Sequence, residues 1–411
     1  MSSSIHQPET SVHIPTKRKL VALRRITSLK PIKRSRWEVA IVGGWNIVVT
    51  KGEHSVGELV VYIEIDSFLP MSDERFWEYT GPHANHHYEG ERGYVVRTLM
   101  RLGHISQGLI FPLNAFPEIN VEKREELKGD LVGSPGRVEG AMMELDYSEM
   151  LGVKKFEPQY FEEEGAPSYG PPPIIFPQPG CERAQNVVNL FHHYSDIEFL
   201  ITEKLDGVPI TVYSVENRSQ WYKALPRKQG SADSPRPRFG VCGRWTDHIE
   251  EEESLFWKTV RRQGIIEKIP QIGMQCTAAG RKKGGNNFAI QGEFCGETIL
   301  GNSMGFEAGQ HHFYAFAIYD IDNQKWLPPD RALSVCRKLN IDHAPIIARV
   351  KLNEFANNME ELLQKAEGRG ILGNNREGLM FRTLDNAFAF KAIANNWLLE
   401  YSHYKTTPDQ W

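Results

Sequence analysis

The stretch Phe199–Ser214, "FLITEKLDGVPITVYS", places a Lys-Leu-Asp-Gly turn between two runs of strand-forming residues. An Asp-Gly pair between apolar runs is a strong hairpin signal, and Lys204 is then an ordinary turn lysine. The pattern also suits a nucleophile, whose amine at Lys204 attacks a phosphorus atom while Asp206 and Gly207 shape the turn. The rest of the chain has to decide between these interpretations.

The composition is that of an ordinary globular protein. The chain has 411 residues, enough for two or three domains, with 40% hydrophobic and 24% charged residues. No apolar run is long enough to span a membrane, and the N-terminus lacks the apolar core of a secretory signal, so we expect no membrane partner. Five cysteines without a C-x-x-C pattern favour an intracellular, reducing compartment, cytoplasm or nucleus.

The charge is unevenly distributed along the chain. The net charge is −4, yet the segment from Lys17 to Arg36 holds nine Lys or Arg and no acidic residue, and Trp37 and Trp45 follow it. Such a block suits contacts with the phosphate backbone of a nucleic acid. It also suits a solubilising basic arm, and the charge alone leaves both possibilities open.

Four segments follow from the pattern of turns and periodicity. We expect a disordered tail at 1–17, an all-β barrel of the OB type at 18–113 and a Pro/Gly-rich connector at 114–180. Residues 181–411 read as α+β. Helices are predicted in "ERAQNVVNLFHHY", "SLFWKTVRRQGIIEKI" and "EFANNMEELLQKAE", and strands in "FAIQGEFCGETI", "HHFYAFAIYDI", "EGLMFRT" and "AFAFKAIA".

Residue types that nucleotide chemistry requires follow Lys204 in a fixed order. An arginine binds phosphate, a carboxylate binds a ribose hydroxyl or a metal's water shell, an aromatic ring stacks on a base, and a lysine neutralises a phosphate under attack. The candidates are Arg244, Glu293, Phe316, Glu377 and Lys391.

This ordered set resembles the covalent nucleotidyltransferase superfamily of polynucleotide ligases and RNA capping enzymes. Within it the chain is similar to the Deinococcus-type ATP-dependent RNA ligases over residues 18–404, including "KGEHSVGELVVYIEIDSFLP", "ISQGLIFPL", "LGVKKFEP" and "ERAQN". The resemblance implies an α+β fold, in which an antiparallel-sheet nucleotidyltransferase domain at 181–411 follows an all-β OB-fold barrel that contacts RNA.

The resemblance also implies a role for each residue at the Lys204 turn. Lys204 is the nucleophile that becomes lysyl-AMP, and Glu203 reads the edge of adenine. Gly207 shapes the turn, and Asp206 orients the lysine. A free lysine has a pKa near 10.4, so a neighbouring cation and partial burial have to lower it before the amine can attack.

The later residues of the set complete the implied nucleotide site. Arg244 lies under a phosphate or the RNA end, Glu293 contacts the ribose and Phe316 stacks on adenine. Glu377 places a divalent metal, directly or through water, and Lys391 contacts the α-phosphate. The implied cofactors are ATP and Mg²⁺ or Mn²⁺, and the implied partners are nicked or single-stranded RNA ends, bound by a monomer.

The chain departs from the family pattern at two places. The last motif is usually K-x-K, but residues 389–391 read "AFK", so Ala389 stands where one of two lysines is expected. Trp245 stands beside Arg244, where a small polar residue is expected. Neither change removes the attacking lysine, so both bear on rate and RNA binding rather than on the reaction itself.

Three functions compete on this evidence. The leading one is an ATP-dependent RNA ligase that joins 3′-hydroxyl and 5′-phosphate ends, as in RNA repair. A DNA ligase or capping enzyme is disfavoured, because those enzymes carry a barrel after the last motif and only 20 residues follow Lys391. A catalytically weak, ligase-like RNA-binding protein is the third, and the intact lysines and carboxylates argue against it.

Overall fold

The computed structural model describes residues 18–78, 86–119, 135–156, 167–225, 237–276 and 286–401. The expected tail at 1–17 lies outside the described residues, as do parts of the expected connector. The chain divides into two compact units. The described residues of the first unit lie between 18 and 156 and from 398 onward, and those of the second unit lie between 167 and 397. No helix within the described ranges is long and apolar enough to cross a bilayer.

The first unit is built almost wholly from strands. Its strands are β1 (Val21–Pro31), β2 (Trp37–Val42), β3 (Trp45–Thr50), β4 (Leu59–Ile63), β5 (Ser67–Pro70), β6 (His86–Tyr88), β7 (Glu91–Val95), β8 (Thr98–Arg101), β9 (His104–Gln107), β10 (Leu109–Pro112) and β11 (Lys154–Lys155). They form sheets of order β10-β4-β1-β2-β3, β11-β5-β7-β6 and β8-β9. Among its described residues are also the α-helix Pro135–Met143 and the 3₁₀ turns Glu74–Phe76 and Leu113–Ala115.

The longest strand of this unit explains how its sheet curls. β1 pairs with β4 along its first half and with β2 along its second half, and an irregularity in register lies between Ile26 and Ser28. Bulges of this kind increase twist and bend a strand. Alternate residues then point inward, and Trp45, Val61 and Phe68 are fully buried.

The basic segment of the first unit separates into two groups. Arg18 binds Glu64 and Asp66, and Arg25 binds Glu139 at 2.5 Å, so these charges support the fold. The side chains around the turn between β1 and β2 are exposed; these are Lys30, Lys33, Arg34 and Arg36. The second group presents its positive charge outward.

The second unit contains two largely antiparallel sheets and several short helices. Its strands are β12 (Glu182–Arg183), β13 (Glu198–Lys204), β14 (Val208–Val215), β15 (Arg238–Cys242), β16 (Asp247–His248), β17 (Phe288–Gly296), β18 (His311–Asp320), β19 (Lys325–Trp326), β20 (Ile346–Lys351), β21 (Gly378–Thr383) and β22 (Ala389–Ile393). The orders are β12-β22-β21-β13-β20 and β16-β15-β14-β17-β18-β19. The expected α+β architecture, with an all-β unit first, is confirmed.

Helices cover the outer faces of these sheets. They are Leu190–His193, Leu255–Arg262, Ile265–Lys268, Ile272–Cys276, Pro329–Leu339, Leu352–Phe355 and Met359–Ala366, and a further helix, Asn395–Tyr401, begins in this unit. The helix expected in "SLFWKTVRRQGIIEKI" is interrupted by Gly264, which adopts the left-handed conformation at φ 65°. The helix expected in "ERAQNVVNLFHHY" is largely wrong, because β12 and a 3₁₀ turn occupy its first half.

Each sheet has its own apolar core. Trp257 and Ile265 from the helices pack against Ile290 and Phe294 of the six-stranded sheet. Leu362 and its neighbours pack against the five-stranded sheet in the same way. The two rigid sheets therefore fix the positions of residues at the connection from β13 to β14.

Candidate active site at the connection from β13 to β14

The Lys204 turn joins the two sheets rather than forming a hairpin. β13 pairs with β20 and β21, whereas β14 pairs with β15 and β17. The hairpin interpretation of the Asp-Gly signal is therefore wrong. The turn places Lys204 at the end of a strand, where a side chain can point into the space between two sheets.

Asp206 and Gly207 fix this turn by side-chain and steric contacts. The buried Asp206 carboxylate accepts a hydrogen bond from the Ser303 hydroxyl at 2.5 Å. A Cβ on Gly207 would lie 2.5 Å from the Phe294 carbonyl oxygen and 2.8 Å from Glu293 Cγ. Only glycine allows the turn to approach β17 this closely, and the same contact brings the Glu293 side chain beside the turn.

The amine of Lys204 pairs with a carboxylate of the expected set. Lys204 Nζ lies 2.6 Å from Glu377 Oε2, and their side chains are 18% and 6% exposed. Nζ also donates to the carbonyl oxygen of Leu205 at 3.3 Å. The charged amine is therefore held in one position within a shielded pocket.

Glu203 faces a loop that covers the pocket. Its two carboxylate oxygens accept from the Ile371 N–H at 3.1 and 3.2 Å. Burial raises the pKa of the Glu203 carboxyl, while the Ile371 N–H and the Arg376 charge act in the opposite direction. Asn374 ties the loop to the far wall by donating to the Ser303 carbonyl oxygen at 3.0 Å.

Lys391 lies on the same face of the five-stranded sheet as Lys204. Lys204 is opposite Gly378, which is opposite Ile393, and Lys391 is two residues before Ile393 on β22. Residues two apart on a strand point to the same side, so Lys391 and Lys204 face the same space. Ala389 is farther from this row, since it pairs with Arg382.

A missed arginine lies beside Lys391. β12 runs parallel to β22 and places Arg183, which is 8% exposed, opposite Lys391. Two cations on one sheet face, the buried Arg183 and the half-buried Lys391, form a strong site for an anion. The segment "ERAQN", which contains Arg183, is part of the family resemblance. The resemblance therefore pointed to this segment but did not assign a role to Arg183.

Phe316 lies on the opposite wall of the site. It packs with Leu205 and Tyr314 in a small apolar cluster beneath the Lys204 turn. The guanidinium of Arg382, from the facing sheet, lies 5.0 Å from the Phe316 ring centroid. Arg382 is a second residue that the sequence did not indicate, and its charge covers the ring expected to stack on adenine.

Arg244 lies on a different turn from Lys204. It is exposed at the tip of the turn from β15 to β16, which the Gly243 N–H closes on the Thr246 carbonyl oxygen at 2.9 Å. Thus the structure brings most of the set around one turn, while Arg244 lies apart. The residues at or facing the turn are Glu203, Lys204, Asp206, Gly207, Glu293, Phe316, Glu377 and Lys391.

Comparison with known families decides what this arrangement is. An RNA ligase family matches residues 197–394, and an OB-fold domain family matches residues 20–113. A solved Naegleria gruberi RNA ligase variant with AMP and manganese is 31% identical, with a TM-score of 0.72, over 93% of this chain and 98% of that chain. The chain belongs to the RNA ligase family. The expected family, the ligase and OB folds and the enzyme class are thereby confirmed.

Further structures of the Naegleria gruberi RNA ligase agree with this assignment. An apo variant is 31% identical with a TM-score of 0.73, over 94% of this chain and 99% of that chain. A variant with ATP and manganese is 30% identical with a TM-score of 0.72, over 97% of this chain and 100% of that chain. None of the curated protein sequences compared with the chain matches it.

Proposed function

We propose that this protein is an ATP-dependent RNA ligase that joins 3′-hydroxyl and 5′-phosphate RNA ends, acting as a monomer in RNA repair. The observation that carries the proposal is the Lys204 amine held at the turn between two sheets, 2.6 Å from Glu377 and facing Lys391. The five cysteines are free thiols, which supports the proposed reducing compartment.

The reaction has three displacement steps at phosphorus. The neutral amine of Lys204 attacks the α-phosphorus of ATP and gives up a proton as the P–N bond forms, while the bond to the bridging oxygen breaks and pyrophosphate leaves with the electron pair. An oxygen of the RNA 5′-phosphate then attacks the same phosphorus, and the lysine nitrogen takes up a proton as it leaves. Finally the 3′-hydroxyl attacks the 5′-phosphorus of the adenylylated RNA, loses its proton and expels AMP.

The Lys204–Glu377 pair describes the resting state of this chemistry. A lysine paired with a carboxylate is held as an ammonium ion, which has no lone pair for attack. Glu377 therefore has to exchange the ammonium for another positive partner before the first step. This requirement supports the proposed role of Glu377 in placing Mg²⁺ or Mn²⁺.

The carboxylates of the site fit a magnesium-type ion. Within the described part of the chain, no group of three or more His, Cys, Asp or Glu side chains is arranged to hold a metal. Mg²⁺ is usually bound by one or two carboxylates together with substrate phosphates and waters, and Glu377 with Glu293 suits that pattern. When bound, the ion neutralises the pyrophosphate leaving group.

The spacing of residues in the relative supports these assignments. Variants of the Naegleria gruberi ligase, including ones with AMP or ATP and manganese, change a lysine and an aspartate two residues apart. Others change a glutamate and a second lysine that are fourteen residues apart. A further variant changes an arginine twenty-one residues before the lysine that precedes the aspartate. Lys204 and Asp206, Glu377 and Lys391, and Arg183 and Lys204 stand at the same intervals here.

The same spacing supports a different position for the missing lysine of the last motif. If Lys391 is the first lysine of K-x-K, the second position is Ile393, which lies across Gly378 from Lys204. Ile393 is 3% exposed and uncharged. We place the departure at Ile393 rather than at Ala389, so the charge at this point of the site depends on Lys391 and Arg183.

Glu203 is expected to set the preference for ATP over GTP. Its carboxylate accepts from the 6-amino group of adenine, whereas guanine places a carbonyl there, and two facing acceptors cost about 1–3 kcal/mol. We therefore expect roughly ten- to a hundredfold faster Lys-AMP than Lys-GMP formation at limiting nucleotide. A Gln at position 203 both donates and accepts, so Glu203→Gln should lose most of this preference.

The control for this prediction lies on the same strand. Glu198 of β13 is exposed and binds Arg349, and Glu198→Gln should keep the preference of the wild type. Initial rates of protein labelling with each α-labelled nucleotide provide the measurement. Equal labelling of the wild type by ATP and GTP would contradict the role of Glu203.

The exposed positive side chains of the first unit are expected to bind RNA phosphate. Replacing Lys33, Arg34 and Arg36 together by Ala should keep Lys-AMP formation and weaken RNA binding, increasingly at raised salt. Each phosphate contact to a single strand contributes about 0.7 to the slope of log affinity against log salt, so the slope should fall by about two. RNA titrations over a salt series measure it.

A matched control removes three positive charges from the other unit. The exposed residues Lys325, Arg337 and Lys338 are suitable. An equal loss of slope in the control triple would show that net charge alone matters. The segment at 17–36 would then be only a solubilising arm.

The competing function, an inert RNA-binding protein, would show neither of two activities expected of a ligase. A ligase incubated with labelled ATP and Mg²⁺ carries label after denaturing electrophoresis, and then converts 5′-phosphate RNA into joined product. A protein that binds RNA but does neither would be the inert alternative.

A further inference from the structure

The turn that carries Arg244 also carries an unusually exposed aromatic residue. Trp245 is 59% exposed, and of the tryptophans within the described ranges only it and Trp77 are more than half exposed. Burying an indole ring is strongly favourable, and Trp257, twelve residues later in the chain, is 1% exposed. A tryptophan held in solvent on a tight turn is therefore unexplained by folding.

The position of the turn relates it to the reaction. β15 runs antiparallel to β14, and Cys242, the last residue of β15, is opposite Thr211. The turn therefore lies beside the first residues of β14, about 10 Å along the strand from Thr211. Those residues directly follow Gly207, so the turn and Glu293 lie on opposite sides of β14 at its catalytic end.

The local contacts hold the ring in place. The Arg244 guanidinium lies 5.1 Å from the centroid of the Trp245 ring, and the Gly243 N–H bonds to the Thr246 carbonyl oxygen. A closed turn of four residues between paired strands has little freedom. The ring is thus presented to solvent next to a positive charge.

We propose that Trp245 is a stacking platform for the terminal nucleobase of an RNA end, with Arg244 beside it to bind that end's phosphate. The proposal rests on the proposed function, since it needs RNA ends to be brought to Lys204. Stacking on an aromatic ring tolerates any base, because every base has a π-face, and it suits a ligase that must hold ends of different sequence. The small polar residue expected at this position could not stack.

The test compares RNA ends with and without a terminal base. Wild type, Trp245→Ala and Trp245→Phe are assayed for joining of strands whose terminal nucleotide is intact, abasic at the 5′-phosphate end or abasic at the 3′-hydroxyl end. For intact strands Trp245→Ala should raise KM about tenfold, and Trp245→Phe, which keeps a ring, should raise it about threefold or less. Wild type and Trp245→Ala should have the same KM when the stacked base is absent, and the strand for which they agree identifies the bound end.

Three results would overturn the proposal. One is an unchanged KM of Trp245→Ala on intact strands. Another is the same tenfold increase on both abasic substrates, which would mean that the ring acts on the protein rather than on a base. The third is a wild type that joins no RNA, which would overturn the proposed function together with this inference. If the wild type joins RNA and the variants have no effect, this inference alone is overturned. Trp77→Ala, a change at the other exposed tryptophan, is the control for general loss of an indole.

Discussion

Lys204→Ala is expected to form no covalent AMP, a loss of at least about a thousandfold in the rate of self-adenylylation. The side chain at this position supplies the attacking atom, and no neighbouring group can place an amine there. Lys204→Arg sharpens the test, because arginine keeps the positive charge and the pairing with Glu377 but cannot be deprotonated in a protein. Both variants should fail equally when labelling by α-labelled ATP is measured.

The control is a lysine of the same sheet remote from the site. Lys351 ends β20 and lies 4.0 Å from Asp196 on the surface, so Lys351→Ala should label at the wild-type rate. Substantial labelling of Lys204→Arg would mean that Lys204 serves only as a partner for Glu377. The nucleophile would then have to be another residue.

Lys391→Ala is expected to slow self-adenylylation about a hundredfold or more. With an uncharged Ile393 in the same row, Lys391 and its cross-strand neighbour Arg183 supply positive charge at this point of the sheet. Removing a group that stabilises charge developing in a transition state typically costs about 3 kcal/mol. Single-turnover rates of Lys-AMP formation at saturating ATP measure the effect without contribution from RNA binding.

Two variants separate charge from shape in this prediction. Lys391→Arg keeps the charge and should retain much more activity than Lys391→Met, which keeps the length and apolar stem alone. Equal rates for Lys391→Met and the wild type would contradict the role of Lys391. Arg183 would then be the cation that acts on the phosphate.

The strands and the order of the site residues were predictable, because both depend on the local pattern of apolar, polar and turn residues along the chain. β13, β14, β17, β18, β21 and β22 follow alternating or continuous apolar runs bounded by turns. The carboxylates and lysines fall at the ends of these runs. The expectation that these residues meet in one site came from the resemblance to the ligase superfamily and not from the strand pattern.

Contacts between distant parts of the chain were not predictable in this way. Arg183 reaches the site only because a two-residue strand, β12, pairs in parallel with β22. The Ile371 N–H that holds Glu203 comes from an irregular loop, and the pairing of β13 with β21 instead of β14 is set by packing of whole sheets. A period of two or 3.6 residues carries no information about such partners.

The helix Pro329–Leu339 and strand β20 were also missed for physical reasons. The helix begins at a proline, which fits its first turn, but the flanking "WLPPD" reads as a loop. No residue of β20 is fully buried, and its apolar residues do not alternate regularly with polar ones, so the sequence signal for a strand is weak. Its pairing with β13 supplies the order that its sequence lacks.

The central claim is that Lys204 carries AMP, and mass spectrometry of the intact wild-type protein tests it most directly. After incubation with ATP and Mg²⁺, the protein should gain the mass of one adenylyl group, and proteolysis should place it on Lys204. Addition of 5′-phosphate RNA should remove that mass. A protein that never gains it, or gains it on a different residue while still joining RNA, would contradict the account.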